Sequence, residues 1–580
     1  MAVVPAVADA FVIEGARPLT GRIRAAGNKN GALPILAACL LTDEPVTLAN
    51  VPRIRDVETM VELLADLGAD VAWTGPNEVR VHTADVSSSS PDERLCRRIR
   101  ASFLLAGPLL ARFGSATMPL PGGDVIGRRR LDPHMHAFAE LGAEIDVNGR
   151  YAMRTDGLRS AQVFLDEASV MATENTVMAA VLTPGQTVLG NAACEPHVQD
   201  LCRFLVSLGA QIEGIESNVL RITGVERLRG GTWSIGPDHI EVGSFVGMAA
   251  ITGGAVTIEG VEPKDLVAIV FAFQRLGVEV EVRGDSVHVP TRQQLVVRDD
   301  LGGMIPKIED GPWPAFPSDL TSIAITIATQ AFGTVLMFEK MFENRLFFTD
   351  KLVSIGADID GIESNVLRIR GVDSLRGGAW RIGPDHMEVG SFVGLAAMTR
   401  GYVTIESVEP KDLVSILPVF ERLGVRVEVG ETTLRVPPDQ ELVIRDDLHG
   451  QIPKIEDGPW PAFPSDLTPI ALTVATQARG TILIFEKMFE NRLFFTDKLV
   501  SMGARIILCD PHRVVVTGPA RLYGQRMESP DIRAGMSMLL ASLCADGAST
   551  IGAVYQIDKG YERIDERLRL LGARIERVEG

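Results

Sequence analysis

Between Asp56 and Leu67 the apolar residues Val57, Met60, Leu63, Leu64 and Leu67 recur at helical spacing, with acids in the first turn and Gly68 just beyond. That pattern predicts an amphipathic helix stopped by a left-handed glycine. Asn77–His82 ends in strict alternation and predicts a strand, while Ser87–Asp92 is a turn-rich loop. The same succession occurs eight times: a helical apolar stretch closes on Leu/Ile/Met-Gly-Ala/Val and runs into an alternating strand such as Ala504–Leu508. The glycines are Gly68, Gly142, Gly209, Gly277, Gly356, Gly424, Gly503 and Gly572, spaced 74, 67, 68, 79, 68, 79 and 69 residues apart. One supersecondary unit is therefore reused along the chain. The alternation of 68 and 79 exposes a larger repeat. Residues 211–357 and 358–504 align over 147 positions without a gap, and 109 of them are identical. Units of this size must bury their sheet faces and helices against one another, which predicts an α/β fold with shared helical cores in two lobes.

Composition narrows the partners. A net charge of −18 argues against nucleic acid, whose binders carry basic stripes. It leaves room for a small anion held by a local cationic cluster. The six cysteines (Cys39, Cys96, Cys194, Cys202, Cys509, Cys544) show no CxxC pair or metal spacing and read as buried small hydrophobes in a reducing compartment. No metal or cofactor is expected. The N-terminus lacks the charged-then-apolar pattern of a signal peptide, and no apolar stretch reaches the roughly 18 residues that span a bilayer. A cytoplasmic protein is expected; its oligomeric state is not readable.

Three segments carry chemistry beyond the repeat. Gly27-Asn28-Lys29-Asn30-Gly31 opens an apolar helix, and a lysine beside free backbone N–H groups is an anion seat. Its plainer reading is a solvated lysine. Pro121-Gly122-Gly123-Asp124-Val125-Ile126-Gly127-Arg128-Arg129-Arg130 presents one carboxylate beside three guanidiniums, or is merely a charged turn. Pro-Ala-Phe-Pro-Ser-Asp-Leu occurs at 314–320 and 461–467, each followed by Phe-Glu-Asn-Arg at 342–345 and 489–492. Asp319 and Asp466 there are placed to cap the following helix, a role compatible with catalysis.

With Arg100-Ala101-Ser102, Glu174-Asn175, Asp531-Ile532-Arg533-Ala534 and Gly560-Tyr561-Glu562-Arg563-Ile564, these segments resemble the enolpyruvyltransferases, specifically their nucleotide-sugar branch, from Phe11 to the C-terminus. The resemblance implies a two-lobed inside-out α/β barrel with three units per lobe and the site between the lobes. Here eight units stand in place of six: 23–235 would form one lobe of three, 236–580 the other with five, and 1–22 its N-terminal strand region. The implied reaction transfers the enolpyruvyl group of phosphoenolpyruvate to the 3′-hydroxyl of UDP-N-acetylglucosamine, releases phosphate, and starts peptidoglycan synthesis. It needs an acid for the methylene carbon, a base for the hydroxyl, and cations for phosphate and carboxylate. The resemblance puts Asp124 at the acid position, usually a cysteine in the family, and Asp319 or Asp466 at the base position. It assigns the anion contacts to Lys29, Asn30, Arg100, Arg129, Arg533, Lys559 and Arg345 or Arg492. The nucleotide-sugar contacts fall on Arg129, Arg130, Leu131, Asp132, Pro133, Ser169 and Val170, with Met341 or Met488 beside the uracil, and Asp531 belongs to the same set.

Some positions depart from the family pattern. Glu167 and Met171 replace a lysine and a glycine near the diphosphate end, Lys559 replaces an arginine, and Gln556 replaces a histidine. Two further readings therefore stand: an enolpyruvyltransferase acting on another acceptor, and a non-catalytic UDP-sugar-binding paralogue. Two of the three chain-order arrangements of a three-unit lobe bring Asp466 and Arg492 to the cleft. Phe332 in place of Arg479 suits a first copy packed on an unusual neighbour. Copy two is thus the expected working copy.

Overall fold

The computed structural model describes residues 17–122, 131–147, 150–341, 346, 348–362, 364–376, 384–458, 462–488 and 492–578. Each of the eight repeat glycines sits at the end of its helix with φ between 83° and 108°, a region open to glycine at little cost. After Gly68 the chain returns as the antiparallel hairpin Asp70–Gly75 and Glu78–His82, and hairpins follow the next six glycines; after Gly572, contrary to the expected alternating strand, the described residues form none. Among the described residues the strands form eight sheets. Most join an antiparallel hairpin to a strand that lies parallel on the other side.

Some parallel strands come from far along the chain. Gly231–Ser234 pairs with Val46–Ala49, and Thr20–Arg24 pairs with Ala255–Glu259. The second of these sheets has four strands, whereas its duplicate, built on Val403–Glu406, has three.

The helices facing the cores are apolar on nearly every side. In Lys29–Ala38 every residue from Gly31 to Ala38 is buried, and Val170–Ala180 is buried from Ala172 onward. A helix with no polar face must sit inside, with sheets around it. Each buried Leu or Ile there contributes about 1.5–3 kcal/mol. Close helix approach needs small residues: a Cβ on Gly107 would stand 2.5 Å from the Asn175 carbonyl oxygen. The apolar residues gather into three cores, spanning Ala32–Ile235, Val242–Ile369 with Ala25, and Val389–Leu568. By compactness the chain divides into Met1–Gly378 and Ala379–Gly580.

Three further expectations need correction. Neither Asp319 nor Asp466 caps a helix. Helices Thr321–Ala328 and Thr468–Ala475 follow short 3-10 turns and receive no side-chain cap bond, because the turns Ser318–Leu320 and Ser465–Leu467 already supply the chain's first bonds. Cys509 is exposed on its strand, while Cys39, Cys96 and Cys202 are buried as expected. Phe332 is turned mostly to solvent: it is 77% exposed and contributes its backbone to the bridge with Val296. No helix among the described residues is long and apolar enough to cross a membrane.

Candidate active site

The predicted site residues fall into two groups, one in each compact unit. In Met1–Gly378 the Lys29 helix is the centre. Asn28 caps it by accepting the Gly31 N–H (3.2 Å), and its amide meets His239 Nδ1 at 3.4 Å. Its backbone N–H donates to the Gly236 carbonyl, so residues 236–239 are sewn to the helix start. Lys29 lies half-exposed with Nζ 3.3 Å from Asp56 Oδ2, and Asn30 is half-buried. Such an exposed pair holds the lysine weakly and yields to a stronger anion.

A polar cluster lies near this helix, and of its acids the motifs named only Glu174. Glu195 is raised above the ordinary carboxylate range by burial, despite backbone hydrogen bonds at Glu195 itself, Trp313 and Cys194. Glu174 is pushed higher still, first by its own burial and then by Glu195. Burial also drives the His197 imidazole down to about 3, with His239 adding to the effect. Trp313, which opens the Pro-Ala-Phe-Pro-Ser-Asp segment, has its ring edge-on to His239 at 6.0 Å. Burial lowers His239, and the negative charges of Asp238 and Asp319 oppose that. Asp319 is itself exposed. The unit thus brings Asp319, Trp313, His239, Asn28 and the Lys29 helix into one neighbourhood. The motifs named Asn28, Lys29, Glu174 and Asp319, but Glu195, His197, Asp238, His239 and Trp313 carried no motif; Pro196 at a helix start and Asp238 before an apolar helix were the available signals.

The remaining residues of this group sit on nearby elements. Arg100 begins the turn Arg100–Leu105 and is half-buried, with its charge acting on His134. Leu131 is buried, and Asp132 and Pro133 open the helix Asp132–Glu140. Ser169 caps the helix Val170–Ala180 by accepting the Ala172 N–H. Glu167 is exposed and Met171 half-buried. Met341 is 42% exposed, its N–H held by Asp310 and Glu339. Asp124, Arg129, Arg130 and Arg345 lie outside the described residues.

In Ala379–Gly580 the centre is Asp466. Its Oδ1 accepts from Arg492 Nη1 at 2.7 Å and its Oδ2 from Arg533 Nε at 3.0 Å. The arginine side chains are 18% and 15% exposed. Burial pushes the Asp466 carboxyl up, but the two guanidiniums outweigh it and hold it below the usual aspartate value. Arg533 also lies over the Tyr561 ring, and its Nη1 is buried without a hydrogen-bond partner among the described residues. A buried donor with no acceptor is costly, and an anion at that point would relieve it. Asp531 caps Ile532–Cys544 by accepting the Arg533 and Ala534 N–H groups, which aims Arg533 toward Asp466. Lys559 is exposed and donates to Gln556 Oε1 at 2.9 Å, so two of the departures from the family pattern pair with each other. Met488 is half-buried, its N–H on Glu486. Glu486 is pushed up to about 9, by burial first and then by a hydrogen bond with Asp457.

Each group can bind an anion next to a carboxylate. The family model for EPSP synthase (3-phosphoshikimate 1-carboxyvinyltransferase) matches residues 13–364 and again 350–568, reflecting the duplication. The UDP-N-acetylglucosamine 1-carboxyvinyltransferase of Bradyrhizobium diazoefficiens is 42% identical, over 98% of this chain and 98% of its own. The enzyme of that name from Treponema pallidum is 40% identical over 97% and 98%. Among solved structures, the enolpyruvyl transferase NikO from Streptomyces tendae aligns with 97% of each chain at 19% identity and a TM-score of 0.37. By these matches the chain belongs to the enolpyruvyltransferase (1-carboxyvinyltransferase) family, alongside the UDP-N-acetylglucosamine 1-carboxyvinyltransferases.

Proposed function

We propose that the chain transfers the enolpyruvyl group of phosphoenolpyruvate to the 3′-hydroxyl of UDP-N-acetylglucosamine and releases phosphate, a step of peptidoglycan synthesis. It is a transferase whose relatives of that name match it nearly end to end. The observation that carries the site is Asp466 held between Arg492 and Arg533, with the Arg533 Nη1 buried and without an acceptor among the described residues.

The chemistry follows from those groups. The sugar hydroxyl oxygen bonds to C2 of phosphoenolpyruvate, its proton passes to Asp466, and C3 takes a proton from Asp124. The tetrahedral adduct then loses a proton from C3 and expels phosphate, which restores the alkene. With both oxygens engaged by guanidiniums, Asp466 is ionised and a weak base. An arriving phosphate or carboxylate competes for Arg492 and Arg533 and frees the carboxylate to accept the hydroxyl proton. Anion binding and base activation are thus one event. Lys29, Asn30, Arg100 and Arg129 complete the anion set, and Leu131–Pro133, Ser169 and Val170 the nucleotide-sugar set, in a two-lobed inside-out barrel.

A second reading gives the base role to Asp319, because that residue shares its unit with the Lys29 helix and acts on His239. Asp319→Asn and Asp466→Asn assayed side by side separate the two. Phosphate release from phosphoenolpyruvate with UDP-N-acetylglucosamine, against other nucleotides and sugars, tests the whole reaction. Release only with UDP-N-acetylglucosamine is expected; release with a different acceptor alone, or none at all, overturns it.

A further inference from the structure

A pair of buried acids marks the point where two parallel strands part. In the second copy Lys454–Glu456 runs parallel to Gly480–Phe485, with Glu456 opposite Phe485. The next residue on each strand is an acid, Asp457 on one and Glu486 on the other, and both are buried. One arm leads on to Asp466, nine residues later, and the other to Arg492, six residues later. Those two residues then meet at 2.7 Å. The acids cross-link the arms at the fork. Asp457 Oδ1 accepts the Lys487 N–H of the opposite arm, Glu486 Oε1 accepts the Met488 N–H at 3.2 Å, and the two carboxyls are hydrogen-bonded to each other.

Two ionised carboxylates cannot make that last bond, because neither has a hydrogen to give. The contact therefore holds one proton. Burial and then Asp457 push the Glu486 carboxyl up to about 9, so Glu486 carries that proton at neutral pH. The first copy repeats the backbone clamp. Glu309 lies opposite Phe338, Asp310 Oδ1 accepts the Lys340 N–H at 2.6 Å, and Glu339 Oε1 accepts the Met341 N–H at 3.2 Å.

We propose that Asp457 and Glu486 are positioning residues for Asp466 and Arg492: their shared proton ties the two arms together and so sets how Arg492 meets the carboxylate and an incoming anion. This deepens the reaction proposed above and rests on that reading for its catalytic part. Without the proton, two adjacent carboxylates repel across the fork, and the new charge on Glu486 competes with Asp466 for Arg492. The other charged or titratable groups around Glu486 are few. Arg492 opposes its raised proton affinity, His512 meets the Glu486 carbonyl through Nδ1 at 2.8 Å, and Lys487 pairs with Glu456 at 3.1 Å.

Phosphate release from phosphoenolpyruvate with UDP-N-acetylglucosamine, followed over pH, tests this in wild type, Glu486→Gln, Glu486→Ala and the first-copy variant Glu339→Ala. Glutamine gives Asp457 an N–H at every pH. Wild-type kcat should therefore fall as pH rises through about 9, while Glu486→Gln keeps most of the neutral kcat and loses that fall. Glu486→Ala should lose at least about tenfold in kcat. Glu339→Ala cuts the matching clamp in the other copy and should leave kcat and its pH profile as in wild type. An alkaline fall that persists in Glu486→Gln, or equal kcat losses in Glu486→Ala and Glu339→Ala, overturns the inference; the glutamine comparison decides even if Glu486→Ala does not fold. A wild type that releases no phosphate refutes the proposed reaction instead. Inorganic phosphate alone then decides the positioning role: its affinity, read from melting, should weaken about tenfold from about pH 8 to about pH 10 in wild type and not in Glu486→Gln. Equal behaviour of the two proteins overturns it.

Discussion

Replacing Asp466 by asparagine removes one charge from between two nearly buried guanidiniums, Arg492 at 18% and Arg533 at 15% exposure. Stripping one partner from a fully buried ion pair costs about 3–5 kcal/mol. Asp466 is 35% exposed, so solvent screening brings the expected loss to about 2 kcal/mol. For a unit of this size each kcal/mol moves the melting point by about 2–4 °C, which gives a fall of about 4–8 °C. An anion should reverse it. Inorganic phosphate seated on the two arginines replaces the lost charge, and at a hundredfold excess over Kd it stabilises by about 2.7 kcal/mol. Melting with and without phosphate should therefore show a larger phosphate-dependent rise in Asp466→Asn than in wild type. The acid limb should change as well. The folded Asp466 carboxyl lies below its unfolded value, so its stabilisation is complete above the ordinary aspartate pKa and is lost as pH falls through the depressed one. The asparagine variant should lose that part of the slope. Turnover should fall by about 10²–10⁴ if Asp466 is the base, while the exposed Asp319→Asn changes melting by no more than about 0.5 kcal/mol. Identical melting of Asp466→Asn and wild type, with and without phosphate, would refute the ion-triad argument; intact turnover would refute the base role.

Glu486, with its carboxyl raised to about 9 by burial and by Asp457, binds a proton when folded that it would release when unfolded. Stability should decline as pH rises from the ordinary carboxylate range toward 9, and Glu486→Gln should flatten that decline in a series of melts. Asp124 replaces the usual thiol, so fosfomycin should add no mass to the 121–130 peptide and Asp124→Asn should abolish phosphate release; a labelled peptide or an active variant would contradict this. Gly254→Val must push Leu19 and its strand away and should cost more than about 2 kcal/mol by denaturant melts, whereas Gly401→Val, at the matching position of the second copy, stays within about 0.5 kcal/mol. Asn175→Ala leaves the Gly107 N–H and Phe103 carbonyl without their 2.8 and 2.9 Å partners, and should cost about 2–4 kcal/mol with little change in KM.

Local physics made much of this protein legible from its residues. Helix periodicity, the glycine that follows each helix and the alternating strand after it are decided within about twenty residues, so seven helix–glycine–hairpin successions and the duplicated pair are visible without coordinates, while the strand expected after Gly572 does not form. The candidate site residues were likewise chosen on short-range patterns, a lysine at a helix start or an aspartate before an apolar helix. Which of them meet is a different matter. Asp466 and Arg533 are 67 residues apart and Asn28 and His239 are 211 apart. Asp466 meets Arg533 of the last unit, and Asp319 acts on His239, 80 residues before it. Glu174 stands in the quoted Glu174-Asn175 pair and Glu195 in no motif, but neither shows its raised proton affinity in the sequence, because burial, with the charge of Glu195 acting on Glu174, raises it only once the helices close over them. Tertiary structure alone gave the Thr20–Arg24 strand to one of two near-identical edges. Long-range partners follow from how the cores assemble, and two copies of one sequence cannot both be given the single strand that the chain possesses.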